Sequence, residues 1–136
     1  MIRSVLADAE VMAFAATTDL ERATRFYRDT LGLTHVETTP FAAVFRGGGT
    51  MVRVTLVDEV RAAPYTVLGW IVGDIAAIMA GLEVEFTRYD GMDQDAAGVW
   101  TTPTGDRIAW FTDPDGNVLS LTEFALVQHI DWPSTS

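Results

Sequence analysis

The feature that most constrains this chain is a repeated strand that runs into a helix start. "EVMAFAATT" (residues 10–18) is a stretch of apolar and β-compatible residues leading into Thr18-Asp19-Leu20-Glu21. "YTVLGWIV" (65–72) leads in the same way to Asp74-Ile75, 55 residues after Asp19-Leu20. Self-similarity at a fixed spacing outranks local readings in deciding a fold. In the first copy Thr18 can cap a helix, with Glu21 returning the bond as a capping box. Leu20, Ala23, Phe26, Tyr27 and Leu31 then form one apolar stripe at helical spacing, and Gly32 stands where a helix C-terminus favours a left-handed residue. Strand-like runs follow over 33–38, 41–46 and 50–57, with "GGG" (47–49) turning between the last two.

In the second copy Asp74 is the N-cap of a short helix, "IAAIMAGL" (75–82). Runs over 84–89, 98–103, 107–112 and 117–123 supply three or more further strands. Each copy is therefore βαβββ and too small to bury a core alone. The expected fold is α+β: two βαβββ units, about 9–58 and 64–124, packed as paired curved mixed sheets that form a cleft. One domain spans 1–136, with 125–136 as a C-terminal tail. A cleft between sheets is where a ligand goes.

"FTDPDGNVLSLTEF" (111–124) reads as a tight hairpin. Pro114 presets φ for the second turn position and Gly116 supplies the left-handed residue. The strand after the turn offers a hydroxyl, Ser120, where a carboxylate or imidazole would serve catalysis.

Composition removes several classes of function. The chain has no cysteine, hence no disulfide, thiolate nucleophile or thiolate metal site. Its N-terminus lacks a signal peptide's apolar core, and no run approaches the roughly 18 residues of a membrane span. A cytoplasmic protein is expected. All nine basic residues are arginine. Residues 1–64 hold seven Arg against eight acids, a net of −1, and residues 65–136 hold two Arg against eleven acids, a net of −9. Nucleic acid and anionic membrane are poor partners for such a chain. The acidic second half would draw cationic ligands.

Three stretches carry a resemblance: "TTDLERATRFYRDTLGL" (17–33), the strand before Asp74, and "WFTDPDGNVLSLTE" (110–123). Together they resemble the vicinal oxygen chelate superfamily of glyoxalase I, extradiol dioxygenases, fosfomycin-resistance enzymes and bleomycin-resistance proteins. The resemblance covers about residues 9–124. It implies a divalent metal held by His, Glu or Gln at equivalent strand positions of both units, and a homodimer. Carried onto this sequence, those positions are Met12, seven before Asp19; Leu68, about six before Asp74; Ser120, four after Gly116; and Val54 within one residue, so that Arg53 or Thr55 is equally eligible. None is a usual ligand for a hard or borderline metal. No metal and no other cofactor are expected.

Other candidates do not restore a metal site. His35 lies on a strand and His129 in the tail, and "DGMDQD" (90–95) fails the calcium-loop pattern and reads as a solvated turn. "RGGGT" (46–50) lacks the Lys and helix of a phosphate loop. Strand alternation puts Phe14 with Met12 and Trp70 with Leu68, and the resemblance turns Trp110 toward the ligand. The expected lining is Met12, Phe14, Leu68, Trp70, Trp110 and Ser120, apolar and aromatic with one hydroxyl. The same residues would equally serve as plain core. Arg53 is a possible anion anchor or an exposed edge residue, Glu37 a possible carboxylate at the cleft mouth, and the facing of Trp100 is open. The functional expectation is a metal-free small-molecule binding protein for an aromatic or cationic ligand. The alternatives are a lyase or dioxygenase of the superfamily, a metal-independent lyase or isomerase, and a dimer with an occluded cleft.

Overall fold

A computed structural model describes residues 5–125. Strands β1 (Met12–Thr17), β2 (Thr34–Thr38), β3 (Ala42–Gly47) and β4 (Thr50–Leu56) form one sheet in the order β1-β4-β3-β2. Strands β5 (Thr66–Ile71), β6 (Trp100–Thr101), β7 (Arg107–Thr112) and β8 (Val118–Glu123) form a second, in the order β5-β8-β7-β6. In both sheets the first strand runs parallel to the last, and the other pairs are antiparallel. The 55-residue repeat is thus a repeat of topology.

Helices α1 (Leu20–Thr24) and α2 (Ile75–Gly81) both start on an aspartate. The carboxylates of Asp19 and Asp74 accept the backbone N–H of Arg22 at 3.0 Å and of Ala77 at 3.1 Å, each bonding one of the donors a helix start leaves unpaired. The cap of α1 is therefore Asp19 and not Thr18. Thr18 is drawn away because both its N–H and its hydroxyl donate to Asp115, at 3.1 and 3.2 Å. Past Thr24 the helix widens into a π segment, Arg25–Thr30, which ends with Leu31 N–H donating to the Phe26 carbonyl.

Residues 84–89 do not form the expected strand. A single backbone bond, Thr87 N–H to the Trp110 carbonyl at 2.7 Å, reaches β7. The alternation there marks anchoring: Val84 and Phe86 pack on the second core, while the Gln94 side chain ties Thr87, Tyr89 and Gly98 together.

The helices cover one face of each sheet, and this fixes the two cores. The first contains Ala15, Tyr27, Phe45, Val52 and Val54; the second contains Ile75, Met79, Phe111, Leu119 and Leu121. Phe26, Leu31 and Leu68 pack against both, so the cores meet under the end of the first helix.

The β7–β8 turn joins the units more specifically. Buried Asp113 accepts the backbone N–H groups of Asp115 (2.9 Å) and Asn117 (3.0 Å), the Asn117 amide (2.8 Å) and the phenol of fully buried Tyr27 (2.7 Å). Burial, then the charge of Asp113, raises the Tyr27 pKa far above a tyrosine's ordinary value. Asp115 bonds Thr17, Thr18 and Arg22, the last at 2.6 Å. The two acids of the turn thus join the units at the start of the first helix, and Gly116, at φ +88°, supplies the left-handed residue the turn requires.

Candidate functional site

Among the described residues no helix lies on the face of each sheet opposite α1 and α2, and strand register says which side chains that face carries. On the first sheet, Met12, Met51 and Arg46 stand in one cross-strand row, and Phe14, Arg53 and Val44 in the next. Ala16, Thr55 and Ala42 make the third. Met12 and Phe14 are 44% and 57% exposed, a large accessible apolar area. On the second sheet the open face carries Gly69 and Ile71 from β5, Ser120 and Thr122 from β8, Ile108 and Trp110 from β7, and Trp100 from β6. The two open faces adjoin: Phe14, Ala16 and Thr55 share a hollow of about 330 Å³ with Val67 and Asn117.

Four of the six expected lining residues fall on these faces: Met12, Phe14, Trp110 and Ser120. Leu68 and Trp70 do not. They lie in register with Leu119 and Leu121 on the helix side, and Trp70 stacks on buried Phe111 at 6.4 Å. The two residues do share a face, as alternation requires, but it is the other face. The cause is a one-residue offset, which reverses every side chain of a strand. Counting seven back from Asp74, as from Asp19 to Met12, gives Val67, which sits beside Phe14 at a register shift of β5. On β4 Val54 is fully buried in the first core, which leaves Arg53 and Thr55, both on the open face.

Two aromatic rings gather around Ser120's cross-strand neighbour, Trp110. Trp100 lies 6.3 Å from Trp110, and Tyr89 meets it edge-on at 5.4 Å. This settles the facing of Trp100 and adds Tyr89, which comes from the loop 84–98 and shows no periodicity that would single it out. Gly69 lets β5 approach closely here, since a Cβ on it would sit 2.8 Å from Ser120 Oγ.

A second, wholly apolar cavity of about 210 Å³ lies on the helix side, lined by Leu31, Leu33, Trp70, Phe111 and Leu121 among others. With no charged group to orient a ligand, it is the weaker candidate.

Five acids of the second half are committed elsewhere. Asp74 caps α2, Asp113 and Asp115 hold the turn, and Glu123 accepts the Ile75 N–H at 2.8 Å on the helix side. Asp95 accepts the N–H groups of Ala97, Gly98 and Val99, the bond from Val99 being the main reason its pKa is lowered. This gives "DGMDQD" a structural use. No acid occupies an open-face strand position of the second sheet. Of the charged groups on the first sheet's open face, Arg46 and Arg53 are cationic, and Glu37, paired with Val44 across β2 and β3, is anionic. His35 bonds Thr38 at 2.7 Å and packs on Phe45, a structural role; His129 lies outside the described residues.

A divalent metal does not fit these residues. The positions that would hold it offer a thioether, an aliphatic chain, a hydroxyl and, on β4, the guanidinium of Arg53 or the hydroxyl of Thr55, and a guanidinium there would repel a cation. No group of three His, Cys, Asp or Glu able to hold a metal occurs among the described residues.

Two mixed four-stranded sheets of identical βαβββ topology, with adjoining open faces and helices behind, define the class as a paired-unit glyoxalase-type domain. The family model of the Glyoxalase/Bleomycin resistance protein/Dioxygenase superfamily matches residues 10–121, and the chain belongs to that superfamily. A member of the superfamily from Sphaerobacter thermophilus is similar at 26% identity and a TM-score of 0.66, over 88% of this chain and 99% of that one. Lactoylglutathione lyase from Agrobacterium tumefaciens is similar at 20% identity and 0.66, over 92% and 99%. TioX from Micromonospora sp. ML1 is similar at 19% identity and 0.65, over 85% and 98%. No curated protein matches the chain. Among the described residues no helix is long and apolar enough to cross a membrane.

Proposed function

We propose that this protein binds a small, flat organic molecule on its adjoining open faces, without a metal and without transforming it. The observation that carries this reading is the Tyr89–Trp110–Trp100 cluster beside Ser120, continued across the β1–β5 junction by exposed Met12 and Phe14. Aromatic rings offer large contact areas to a planar partner, and each interacts best in stacked or edge-on geometry. Ser120 supplies a hydroxyl to orient it. The cationic ligand expected from the charge of residues 65–136 finds no carboxylate on the open face of the second sheet, so the aromatic half of that expectation is the part retained. A metal-dependent lyase or dioxygenase reaction would require a ligand set that these residues do not supply. The reading includes a homodimer, for which exposed Phe41 offers apolar surface.

The test is a fluorescence and thermal-shift screen of planar aromatic compounds, followed by titration of the hits. Trp110→Ala and Phe14→Ala should each weaken binding by about 1–3 kcal/mol while the protein stays folded. Hits that bind both folded variants as tightly as the wild type would remove the site. Metal analysis of the protein as purified addresses the rest: stoichiometric zinc, iron or nickel, lost on changing Ser120, would favour the enzymatic alternative.

A further inference from the structure

Eight arginines lie among the described residues, and six of them are engaged. Arg22, Arg25, Arg28, Arg61 and Arg107 pair with Asp115, Glu21, Asp29, Glu59 and Glu123, and Arg88 donates to the carbonyls of Ala96 and Gln94. The two that have neither an ion pair nor a hydrogen bond are Arg46 and Arg53. Both stand on the open face of the first sheet, and register makes them diagonal neighbours, since Arg53 pairs with Val44 and Arg46 with Met51. Such neighbours lie roughly 7–8 Å apart at the backbone, within reach of long side chains. In a chain of net charge −10, the two arginines among the described residues whose side chains have no partner thus share the open face that carries Phe14, with Arg53 directly beside it.

We propose that Arg53, supported by Arg46, receives a carboxylate carried by the planar ligand, so that the natural ligands are flat aromatic acids. The inference rests on the binding reading above and assigns the ligand its charge. Arg53 is half-buried, with Phe14 and Val44 on either side and Met51 and Thr55 before and after it along β4. None of these four can neutralise it. Two neighbouring guanidiniums repel, and an anion between them relieves that repulsion; a guanidinium's planar fork also matches both oxygens of a carboxylate. The ligand's carbon body would then run over Phe14 toward Val67, which lines the same hollow as Phe14. Recognition by charge is local here. Of the acids among the described residues, Glu37 alone lies on the strands of this face, opposite Val44, and it forms no ion pair with either arginine; the others are held in caps and turns or lie off these strands.

The probes are a naphthalene carboxylic acid, its amide and the aminomethyl analogue, which share one ring system and differ in charge. Each is titrated calorimetrically against the wild type, Arg53→Gln, Arg53→Lys and Arg46→Gln, in low and high salt. The wild type should bind the acid about 10- to 100-fold tighter than the amide, as a charge-assisted pair requires. Arg53→Gln should lower acid affinity to that of the amide and leave amide affinity unchanged. Arg53→Lys, which keeps the charge without the fork, should fall between, and high salt should narrow the preference. If the wild type binds the amide or the amine as well as the acid, or if Arg53→Gln weakens all three equally, the anion assignment is wrong while the cleft reading stands. If folded wild-type protein binds none of the three, both readings fall.

Discussion

The contact between Tyr27 and Asp113 can be tested almost atom by atom. Tyr27→Phe removes one hydroxyl and leaves the ring, which stacks on Phe45 at 5.6 Å and meets Phe26 edge-on at 5.3 Å. Packing and buried area are therefore nearly conserved, and the loss isolates a hydrogen bond to a buried carboxylate. Such bonds contribute about 1.5–3 kcal/mol. Asp113 retains three donors, two from Asn117 and one from the Asp115 backbone, so the lower end applies, about 1.5–2 kcal/mol. For a domain of this size that corresponds to roughly 5–8 °C in Tm. Urea unfolding at neutral pH measures it, with an unchanged m-value showing that both states keep their compactness. The alkaline limb gives a second readout. Burial and Asp113 raise the Tyr27 pKa, so the folded protein holds a proton that the unfolded chain releases above about pH 10. This contribution is fully present below that pH and is lost as pH rises, by up to about 1.4 kcal/mol per unit. Tyr27→Phe should make that decline shallower. A variant within about 0.5 kcal/mol of wild type, with the same alkaline slope, would refute the argument that this bond joins the units.

Gly69→Ala should destabilise by about 1–3 kcal/mol, because its Cβ would lie 2.8 Å from Ser120 Oγ and 3.2 Å from the Ser120 carbonyl. Adding Ser120→Ala should recover only part of the loss in thermal melts, since the contact with the backbone oxygen stays. Trp70→Ala should lower stability through lost packing on Phe111, whereas Trp110→Ala should act mainly on ligand affinity; parallel melts and titrations distinguish them. The Asp95 carboxyl, followed by NMR, should titrate below the ordinary carboxylate range because the Val99 amide and its neighbours hold its charged form. Protection of the Val99 amide should accordingly persist at mildly acidic pH and fail as pH drops through that lowered midpoint.

The fold was readable because its signals are local and come twice. Asp19 and Asp74 mark two helix starts, and Asp113 to Gly116 mark a turn whose residue types are dictated by backbone geometry. The site was half readable. Alternation says that Leu68 and Trp70 share a face but not which face, since that depends on where α2 packs and on one residue of register in β5. Val67 was within reach of the rule that gave Met12, applied with the same offset. Arg46 was reachable as well: a two-residue turn at Gly48-Gly49 sets the register that puts it beside Arg53. Tyr89 was not, because only the folded path of its loop brings it to Trp110. Residues 84–89 show the limit of period-two reading, where alternate side chains enter a core without any strand partner.

The bonds of Asp115 to Thr17, Thr18 and Arg22 span 93–98 positions of sequence. On the ribosome, the first βαβββ unit is synthesised long before the residue that completes the start of its helix. Thr18 N–H and the Arg22 guanidinium must rely on water until the last hairpin leaves the exit tunnel. Contacts this distant in sequence form late and slow the search for the native state. Nascent chains arrested before residue 113 should therefore hold a loosened first helix, open to proteases and chaperones. The β7–β8 hairpin then acts as a latch on the start of the first unit, and commitment to the folded state waits until the second unit has been made.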